Sequence, residues 1–355
     1  MARSPEKRVA SVEPIMHRAA RIEDAFHEFR AKRARKRGFL STVLPYTGYG
    51  APTWARILGR VVLAHEPRPG SRAERANRRR EESIRGWRSF ISVPVNDVTV
   101  TIEIEGMTHE VRPDRGGVID TVIPVQLAPG WHTVRMYTAD SSGSVESPVF
   151  IVDPSATFGV ISDIDDTVMV TALPRPFLAF WNTFVLDEHA RVPTPGMAVL
   201  LERLAATHPG TPVIYLSTGA WNVAPTIKRF LSRNLFPAGA LLLTDWGPTH
   251  DRWFRSGRLH KESSLVRLAS EFPGLRWLLV GDDGQHDETI YGEFTTKHPE
   301  SVSAVAIRQL STGEAVLAGG RSKAEKHSET SGVPWVYSPD GAGLSDQLRE
   351  LGILA

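Results

Sequence analysis

The 355-residue sequence contains no cysteine, which excludes a disulfide framework, a thiolate metal site and a cysteine nucleophile. It also has no apolar stretch approaching the ~20 residues that a membrane-spanning helix needs. The N-terminal region is basic but lacks the apolar core and small-residue cleavage site of a secretory signal, so we expect a cytoplasmic protein. Hydrophobic and charged residues make up an ordinary 41% and 23% of the chain, and the net charge is only +2. The length and composition are typical of a globular protein with two domains.

Basic residues are concentrated in two runs, at residues 30–37 and 72–80. Such runs either attract phosphates of lipid or nucleic acid or form a solvated arm. Residues 14–35 carry apolar side chains at spacings of three and four, which predicts an amphipathic helix within a basic arm of residues 1–40. This helix either lies on a membrane surface, with peripheral contact through residues 14–37, or packs on the protein's own core.

Residues 41–155 show the two-residue period of half-buried strands, most clearly where Val98, Val100, Ile102 and Ile104 alternate with polar residues. Turn residues rich in Gly, Pro and Ser separate further strand-like runs. Several short strands with frequent turns predict a small antiparallel β-sandwich. Residues 41–53 are rich in Pro, Gly and Tyr and are expected to be a connector.

From residue 156 onward, apolar strand-like runs alternate with helix-like segments, which predicts a parallel sheet with crossover helices over residues 156–325. Residues 326–355 are expected to form a C-terminal tail and helix. One apolar run ends in three carboxylates, Asp163, Asp165 and Asp166. Like charges this close repel unless a cation or a proton lies between them, and strand tips are where open α/β sheets bind ligands. The pattern therefore predicts a metal-assisted site.

Three further segments fit the same chemistry. A second apolar run ends in Ser217, Lys261 lies at the expected start of a helix, and a third run ends in Asp282. The chain thus has four elements in order: a strand followed by carboxylates, a strand followed by a hydroxyl, a lysine, and a second strand followed by carboxylates. This order resembles that of the haloacid dehalogenase superfamily. The segments Asp-Ile-Asp-Asp-Thr, Tyr-Leu-Ser followed by Ala-Trp-Asn, and Gly-Asp-Asp-Gly-Gln-His-Asp-Glu-Thr-Ile-Tyr are similar to the catalytic domain of phosphatidate phosphatases of the actin-patch-protein type.

This resemblance implies a Rossmann-like α/β fold with a small cap and an Mg²⁺-dependent phosphatase activity. It makes Asp163 the nucleophile that forms a phospho-aspartate and Asp165 the general acid and base. Ser217 and Lys261 would stabilise charge on the phosphoryl group. Mg²⁺ would lie on Asp163, Asp282 and the backbone carbonyl of Asp165.

Four residues near these motifs are expected to support the site: Asp283 and Asp287 around the metal or Lys261, Thr167 as a brace for the nucleophile loop, and His286 in a role left open. Some motif residues also have simpler interpretations. Asp166 and Asp283 are alternatively helix N-caps, Ser217 a hydroxyl that satisfies backbone donors, and Lys261 a surface lysine.

The resemblance implies phosphatidate as the substrate, hydrolysed to diacylglycerol and phosphate. Only residues 172–192 remain for a cap, and an open site suits a bulky or interface-bound substrate. The family pattern has Ser-Pro-Trp after its motif serine, whereas this chain has Thr218-Gly219-Ala220-Trp221. A non-lipid phosphoester is therefore one alternative. A membrane or nucleic-acid binding protein with weak or lost catalysis is another, although nucleic acid is not the expected partner. The sequence predicts no particular oligomeric state.

Overall fold

The computed structural model describes residues 31–65, 93–141, 143–170, 192–244, 250–284, 286–318 and 332–355. Most of the predicted basic arm, the second basic run and the expected cap lie outside these residues. Among the helices of the described segments, none is long and apolar enough to cross a bilayer.

The C-terminal end of the predicted amphipathic helix is described and packs on the protein itself. Residues 31–36 are helical. Ala31 and Ala34 lie against the apolar core of the β-rich part. Arg35 donates two hydrogen bonds to Asp97, at 2.8 and 2.7 Å. This end of the helix is thus attached to the adjacent β-strands.

Eight strands form one mixed sheet in the N-terminal part: β1 (Phe39–Ala51), β2 (Trp54–His65), β3 (Val93–Pro94), β4 (Val100–Ile104), β5 (Met107–Val111), β6 (Val118–Pro124), β7 (Gly130–Thr138) and β8 (Val145–Ile151). The strand order is β3-β2-β1-β8-β7-β4-β5, and β6 also pairs with β2. Only the β1–β8 pair is parallel among these described strands. Strands from both halves share one apolar core, to which β2 contributes Ile57 and β4 contributes Ile102. The eight strands thus form one hydrogen-bonded sheet with a shared apolar core, and the predicted sandwich stays a prediction.

Strand β1 occupies most of residues 41–53, so the expected connector was wrong. The glycines of this segment are needed because neighbouring backbone approaches closely. A Cβ at Gly48 would lie 2.5 Å from the carbonyl oxygen of Arg56 on β2. The register of the β1–β2 pair shifts between Tyr46 and Tyr49, and both tyrosines are buried. A glycine-rich composition here reflects close strand packing at an irregular pair rather than a turn.

The rest of the chain contains the expected parallel sheet. Its strands are β9 (Phe158–Ser162), β12 (Val213–Ala220), β13 (Ala240–Thr244), β14 (Arg276–Asp282), β15 (Val302–Arg308) and β16 (Trp335–Ser338), in the order β13-β12-β9-β14-β15-β16. All neighbours in this sheet are parallel. The strands β10 (Met169–Val170) and β11 (Val192–Pro193) form a separate antiparallel pair.

The helices are α1 (Met197–Thr207), α2 (Ala224–Arg233), α3 (His250–Glu271), α4 (Asp287–Lys297), α5 (Thr312–Ala318) and α6 (Gly341–Glu350). Strand β16 pairs with β15, and Leu344 and Leu348 of α6 lie in the main apolar core. The parallel-sheet unit therefore continues beyond the boundary expected at residue 325, because the last strand and helix cover an edge that would otherwise be open.

Helix α3 begins well before Lys261, so this lysine lies in the middle of a helix rather than at its start. The predicted start was misplaced because Gly257 interrupts the helical pattern. That glycine is buried, and a Cβ on it would lie 3.0 Å from the Cγ2 atom of Thr218. Gly257 thus allows α3 to approach β12 beside Ser217, the candidate phosphate-binding residue.

Candidate active site

The carboxyl ends of three adjacent strands bring the predicted residues together. Strand β9 lies between β12 and β14, and Asp163 follows β9 directly. Ser217 lies in β12 and Asp282 ends β14. The backbone N–H of Asp163 donates to the carbonyl oxygen of Val280 at 2.8 Å, which extends the β9–β14 pairing into the loop. Since parallel strands end at the same edge, one site contains all three side chains.

Lys261 connects two of the acidic groups. Its Nζ donates to Asp163 Oδ1 at 2.6 Å and to Asp287 Oδ1 at 2.5 Å. Lys261 is only 5% exposed, and the two aspartates are equally buried. The alternative of a surface lysine is therefore excluded, and Asp287 lies where a residue that orients Lys261 was expected.

Three carboxylates gather around this lysine. Oxygen atoms of Asp163, Asp282 and Asp287 all lie within 4.8 Å of one another. Burial raises the pKa of Asp163 well above its ordinary value; Lys261 opposes this effect, while Asp287, Asp282 and Asp165 add to it. Burial alone would lower the pKa of Lys261, but the adjoining carboxylates Asp163 and Asp287 raise it above the ordinary value. The lysine is thus a permanent cation inside an anionic cluster.

The donor set of this cluster fits a hard divalent cation. When ionised, the three carboxylates and one ammonium leave an excess of two negative charges. Asp287 Oδ2 is buried and has no hydrogen-bond partner among the described residues, so it is an oxygen available to a ligand. Oxygen atoms of carboxylates are the ligands that Mg²⁺ prefers. Asp163, Asp282 and Asp287 are therefore the side chains that can hold such an ion.

Ser217 connects the candidate acid to a backbone amide. Its Oγ donates to Asp165 Oδ2 at 3.0 Å and accepts from the N–H of Gly219 at 2.9 Å. The interpretation that Ser217 satisfies a backbone donor is thus correct, and the same hydroxyl also contacts Asp165. Asp165 is half-buried whereas Asp163 is buried, so Asp165 is the more accessible of the two carboxyls.

Asp166 stabilises the turn that follows β9 and Asp163. It has a φ of 61°, in the left-handed region, and its N–H donates to the carbonyl oxygen of Met169 at 2.8 Å. No helix follows it within residues 166–170, so it is not an N-cap. The buried Arg308 at the end of β15 donates from Nη1 to the Asp166 carbonyl oxygen at 2.7 Å and from Nη2 to Glu314 at 2.7 Å. This arginine supports a strained turn beside the site.

Asp283 belongs to the loop after β14 and holds the segment that follows β15. Its Oδ1 accepts from the N–H of Leu310 at 2.7 Å, and its own N–H donates to the carbonyl oxygen of Arg308 at 3.0 Å. It is not the N-cap of α4, because His286 occupies that position. Its contacts place it beside the cluster rather than in it.

The two remaining predicted residues have different positions. Thr167 is fully buried, and its Oγ1 has no hydrogen-bond partner in the segments that the structure describes, so packing is its visible contribution to the nucleophile loop. His286 is exposed at the start of α4 and makes no side-chain capping bond.

Three supporting residues were not predicted: Arg308, described above, Thr244 and Tyr46. Thr244 at the end of β13 donates from Oγ1 to the carbonyl oxygen of Thr218 at 2.9 Å. It follows an apolar run as Ser217 does, so the same strand-end pattern contained its signal. Tyr46 of the β-rich part donates to the carbonyl oxygen of Trp221 at 3.1 Å. No local pattern indicates a contact across 175 residues of sequence.

Part of the chain is similar to a described family. Residues 158–309 match the family described as "Phosphatidate phosphatase APP1, catalytic domain". The chain is 28% identical over 154 residues to Phosphatidate phosphatase APP1 of Saccharomyces cerevisiae. It is 24% identical over 152 residues to an uncharacterized protein of Schizosaccharomyces pombe. Each alignment covers 42% of this chain and 25% of the relative, so the chain matches about a quarter of the length of these curated relatives.

Two solved structures align over much of the chain at low identity. A carbohydrate acetylesterase from Xanthomonas citri aligns over 84% of this chain and 69% of its own, with 9% identity and a TM-score of 0.28. A β-glucuronidase from Parabacteroides merdae aligns over 78% of this chain and 35% of its own, with 11% identity and a TM-score of 0.21. Likenesses this weak carry no conclusion about fold or function.

Proposed function

We propose that this protein is an Mg²⁺-dependent phosphatase of the haloacid dehalogenase type, with phosphatidate as its substrate. The observation that carries the proposal is the buried Lys261 between Asp163 and Asp287, beside Asp282. This arrangement lies within the segment that is similar to a phosphatidate phosphatase catalytic domain. Acyl transfer by a cysteine is excluded because the chain contains none.

In the first half of the reaction, a carboxylate oxygen of Asp163 attacks phosphorus and the bond to the leaving alcohol oxygen breaks. Asp165 gives its proton to that oxygen, so the alcohol leaves neutral. Asp165 suits this role because it is half-buried, accessible from outside the core and in contact with Ser217. The product of this half is a phospho-aspartate at Asp163.

In the second half, water attacks the phosphorus and the bond to Asp163 breaks. Asp165, now ionised, takes the proton from that water. The carboxylate of Asp163 is regenerated and inorganic phosphate leaves. One water is consumed for each ester, and both aspartates return to their starting protonation states.

Lys261 supplies positive charge that stabilises the phosphoryl group during the reaction. Lys261 is already held beside the nucleophile, so it need not reorganise as negative charge develops on the phosphoryl oxygens. The Ser217 hydroxyl can exchange its bond to Asp165 for one to a phosphoryl oxygen. Asp163, Asp282 and Asp287, with the backbone carbonyl of Asp165, would hold Mg²⁺, which when bound supplies Lewis-acid charge neutralisation at the phosphoryl group.

Phosphatidate is the proposed substrate because the matched family is named for it. We further propose a cytoplasmic protein that contacts the membrane peripherally through residues 14–37. A non-lipid phosphoester remains the alternative substrate, because Thr218-Gly219-Ala220 differs from the family pattern at the loop beside the site.

The test measures phosphate release from two substrates, phosphatidate in mixed detergent micelles and a soluble aryl phosphate. Each is assayed with Mg²⁺ and with EDTA. Asp163→Asn removes the nucleophile, and Asp346→Asn, on the exposed face of α6, is the matched control. Release that needs both Mg²⁺ and Asp163 is expected. Asp163-dependent release from an aryl phosphate alone would retain the mechanism and overturn the lipid substrate. No phosphate release from either substrate would overturn the proposed function and favour a binding protein.

A further inference from the structure

The β-rich part of the chain supplies no reacting group in this mechanism, yet it contacts the 3₁₀ turn that follows β12, the strand that carries Ser217. Tyr46 of β1 is 2% exposed. Its ring stacks on Trp221, with centroids 5.0 Å apart and an interplanar angle of 15°. Its hydroxyl donates to the carbonyl oxygen of the same tryptophan at 3.1 Å. A stacking contact and a hydrogen bond therefore both hold Trp221.

The tryptophan is close to the catalytic hydroxyl along the chain. Trp221 begins the 3₁₀ turn that follows β12, four residues after Ser217. Between them, the N–H of Gly219 donates to Ser217 Oγ and thereby directs the hydroxyl toward Asp165. A shift of the Trp221 peptide would turn the Gly219 amide away, because only one residue separates them.

Tyr46 is itself held rigidly. Its backbone carbonyl accepts a hydrogen bond from the buried Ser147 Oγ at 2.6 Å. The strand is irregular between Tyr46 and Tyr49, and such irregularities re-aim side chains. Tyr49 donates to Glu271 of α3 at 2.9 Å, and Arg56 donates to the same carboxylate at 2.8 Å. The β-rich part is thus attached to the parallel-sheet part at Glu271 as well as at Trp221.

We propose that Tyr46 is a positioning residue for the reaction: it fixes the end of β12 and the 3₁₀ turn that follows, so that the Ser217 hydroxyl faces Asp165 and the phosphoryl group. The inference rests on the proposed phosphatase function. It also assigns a role to the β-rich part, because the segment that matches the catalytic family, residues 158–309, does not contain Tyr46.

The test compares two tyrosines in the full chain. Tyr46→Phe keeps the stacked ring and removes the hydroxyl. Tyr49→Phe is the matched control, since it removes another hydroxyl that connects the β-rich part to the parallel-sheet part. The acceptor of that hydroxyl, Glu271, lies ten residues, or about 15 Å along the helix, from Lys261. With an aryl phosphate and Mg²⁺, Tyr46→Phe should lower kcat about tenfold with little change in KM, because small misplacements of catalytic groups cost large factors in rate. Tyr49→Phe should leave kcat unchanged.

A double-mutant cycle separates positioning from general destabilisation. In a Ser217→Ala background, the effect of Tyr46→Phe on kcat should fall below about twofold, because coupled residues are not additive. An unchanged kcat in Tyr46→Phe, or the same factor in both backgrounds, would overturn the inference.

Amide hydrogen exchange gives a readout that does not depend on activity. Peptides covering residues 215–223 should exchange faster in Tyr46→Phe than in the wild type and remain unchanged in Tyr49→Phe. If the wild type releases no phosphate, the proposed function fails, whereas faster exchange in Tyr46→Phe would still support the loop contact. Equal exchange in the two variants would overturn the role of Tyr46 even in an active enzyme.

Discussion

Removing the ammonium of Lys261 tests the charge balance of the buried cluster most directly. Lys261→Met keeps a long unbranched side chain and deletes the cation that Asp163 and Asp287 share. Breaking a buried ion pair by removing one partner costs about 3–5 kcal/mol, because the remaining charge is left uncompensated. With an unfolding entropy of about 2.1 cal/mol/K per residue, a chain of 355 residues loses about 1.3 °C of Tm per kcal/mol, so a loss of roughly 4–7 °C is expected in metal-free buffer.

Asp163→Asn should act in the opposite direction. Burial raises the pKa of Asp163, so in the native state this group holds its proton at pH values where the unfolded chain has released it. The native state then binds more protons than the unfolded state, and stability falls as pH rises from about 4 through the raised pKa. Asparagine cannot ionise. The variant should therefore gain stability above about pH 4, by about 1.4 kcal/mol for each unit of the pKa shift that it removes.

The pKa of Lys261 gives the complementary sign. Because its folded pKa lies above the ordinary 10.5, its contribution is fully present below that pH and is lost only as pH rises through the folded value. Lys261→Met should therefore be destabilised throughout the neutral range. The loss should be smaller near pH 5 than at pH 8, because the orphaned carboxylates can take up protons.

The assay is thermal unfolding by circular dichroism at pH 5, 6.5 and 8, with EDTA, for the wild type and both variants. Lys261→Gln serves as a second neutral variant. Opposite signs of the Tm change for Lys261→Met and Asp163→Asn are expected. Equal losses in both variants, or a Lys261→Met protein as stable as the wild type at pH 8, would refute the reasoning that excess buried negative charge governs the site.

Three further predictions follow from the site. Mg²⁺ at a hundred times its Kd should stabilise the wild type by about 2.7 kcal/mol in a thermal-shift assay, and Asp282→Asn should lose most of this gain. Ser217→Ala should lower kcat on an aryl phosphate about 100-fold in steady-state assays, as the loss of one preorganised donor does; Ser217→Thr, which keeps the hydroxyl, should retain more activity. Arg308→Lys keeps a cation beside Glu314 but loses the guanidinium fork that also contacts Asp166, so kcat should fall about tenfold. Glu314→Gln, the control, should retain more activity. Equal losses of kcat in the two variants would mean that the ion pair matters rather than the contact with the turn.

The motif residues could be predicted because strand ends are local features. Apolar runs followed by Asp163, Ser217 and Asp282 specify both the strands and the edge at which they finish. The order of those strands, with β9 in the centre, then brings the three side chains together. Asp287 was predicted near Lys261, but its bond to that lysine depends on the angle at which α4 leaves the sheet, which no sequence period encodes.

Errors arose where long-range packing overrides a local signal. Glycine usually marks turns, yet Gly48 lies in a strand and Gly257 in a helix because a neighbouring element approaches each of them closely. Arg308 and Tyr46 were missed for a related reason. Their partners, Asp166 and Trp221, are 142 and 175 residues distant in sequence, so the contacts exist only after both parts of the chain have folded.

The charges of the site favour a metal-dependent order of events. When all three carboxylates are ionised, as the nucleophilic role of Asp163 requires, they and Lys261 carry a net charge of −2, and a substrate phosphate adds further negative charge. In the low-dielectric interior these charges repel strongly, so the residues alone oppose the approach of the substrate. A divalent cation held by Asp163, Asp282 and Asp287 would bring the cluster to neutrality, and Lys261 and the Ser217 hydroxyl would then face the phosphoryl group. Under the proposed function, the same acidic excess that is expected to lower the stability of the metal-free protein would make phosphate binding conditional on the metal.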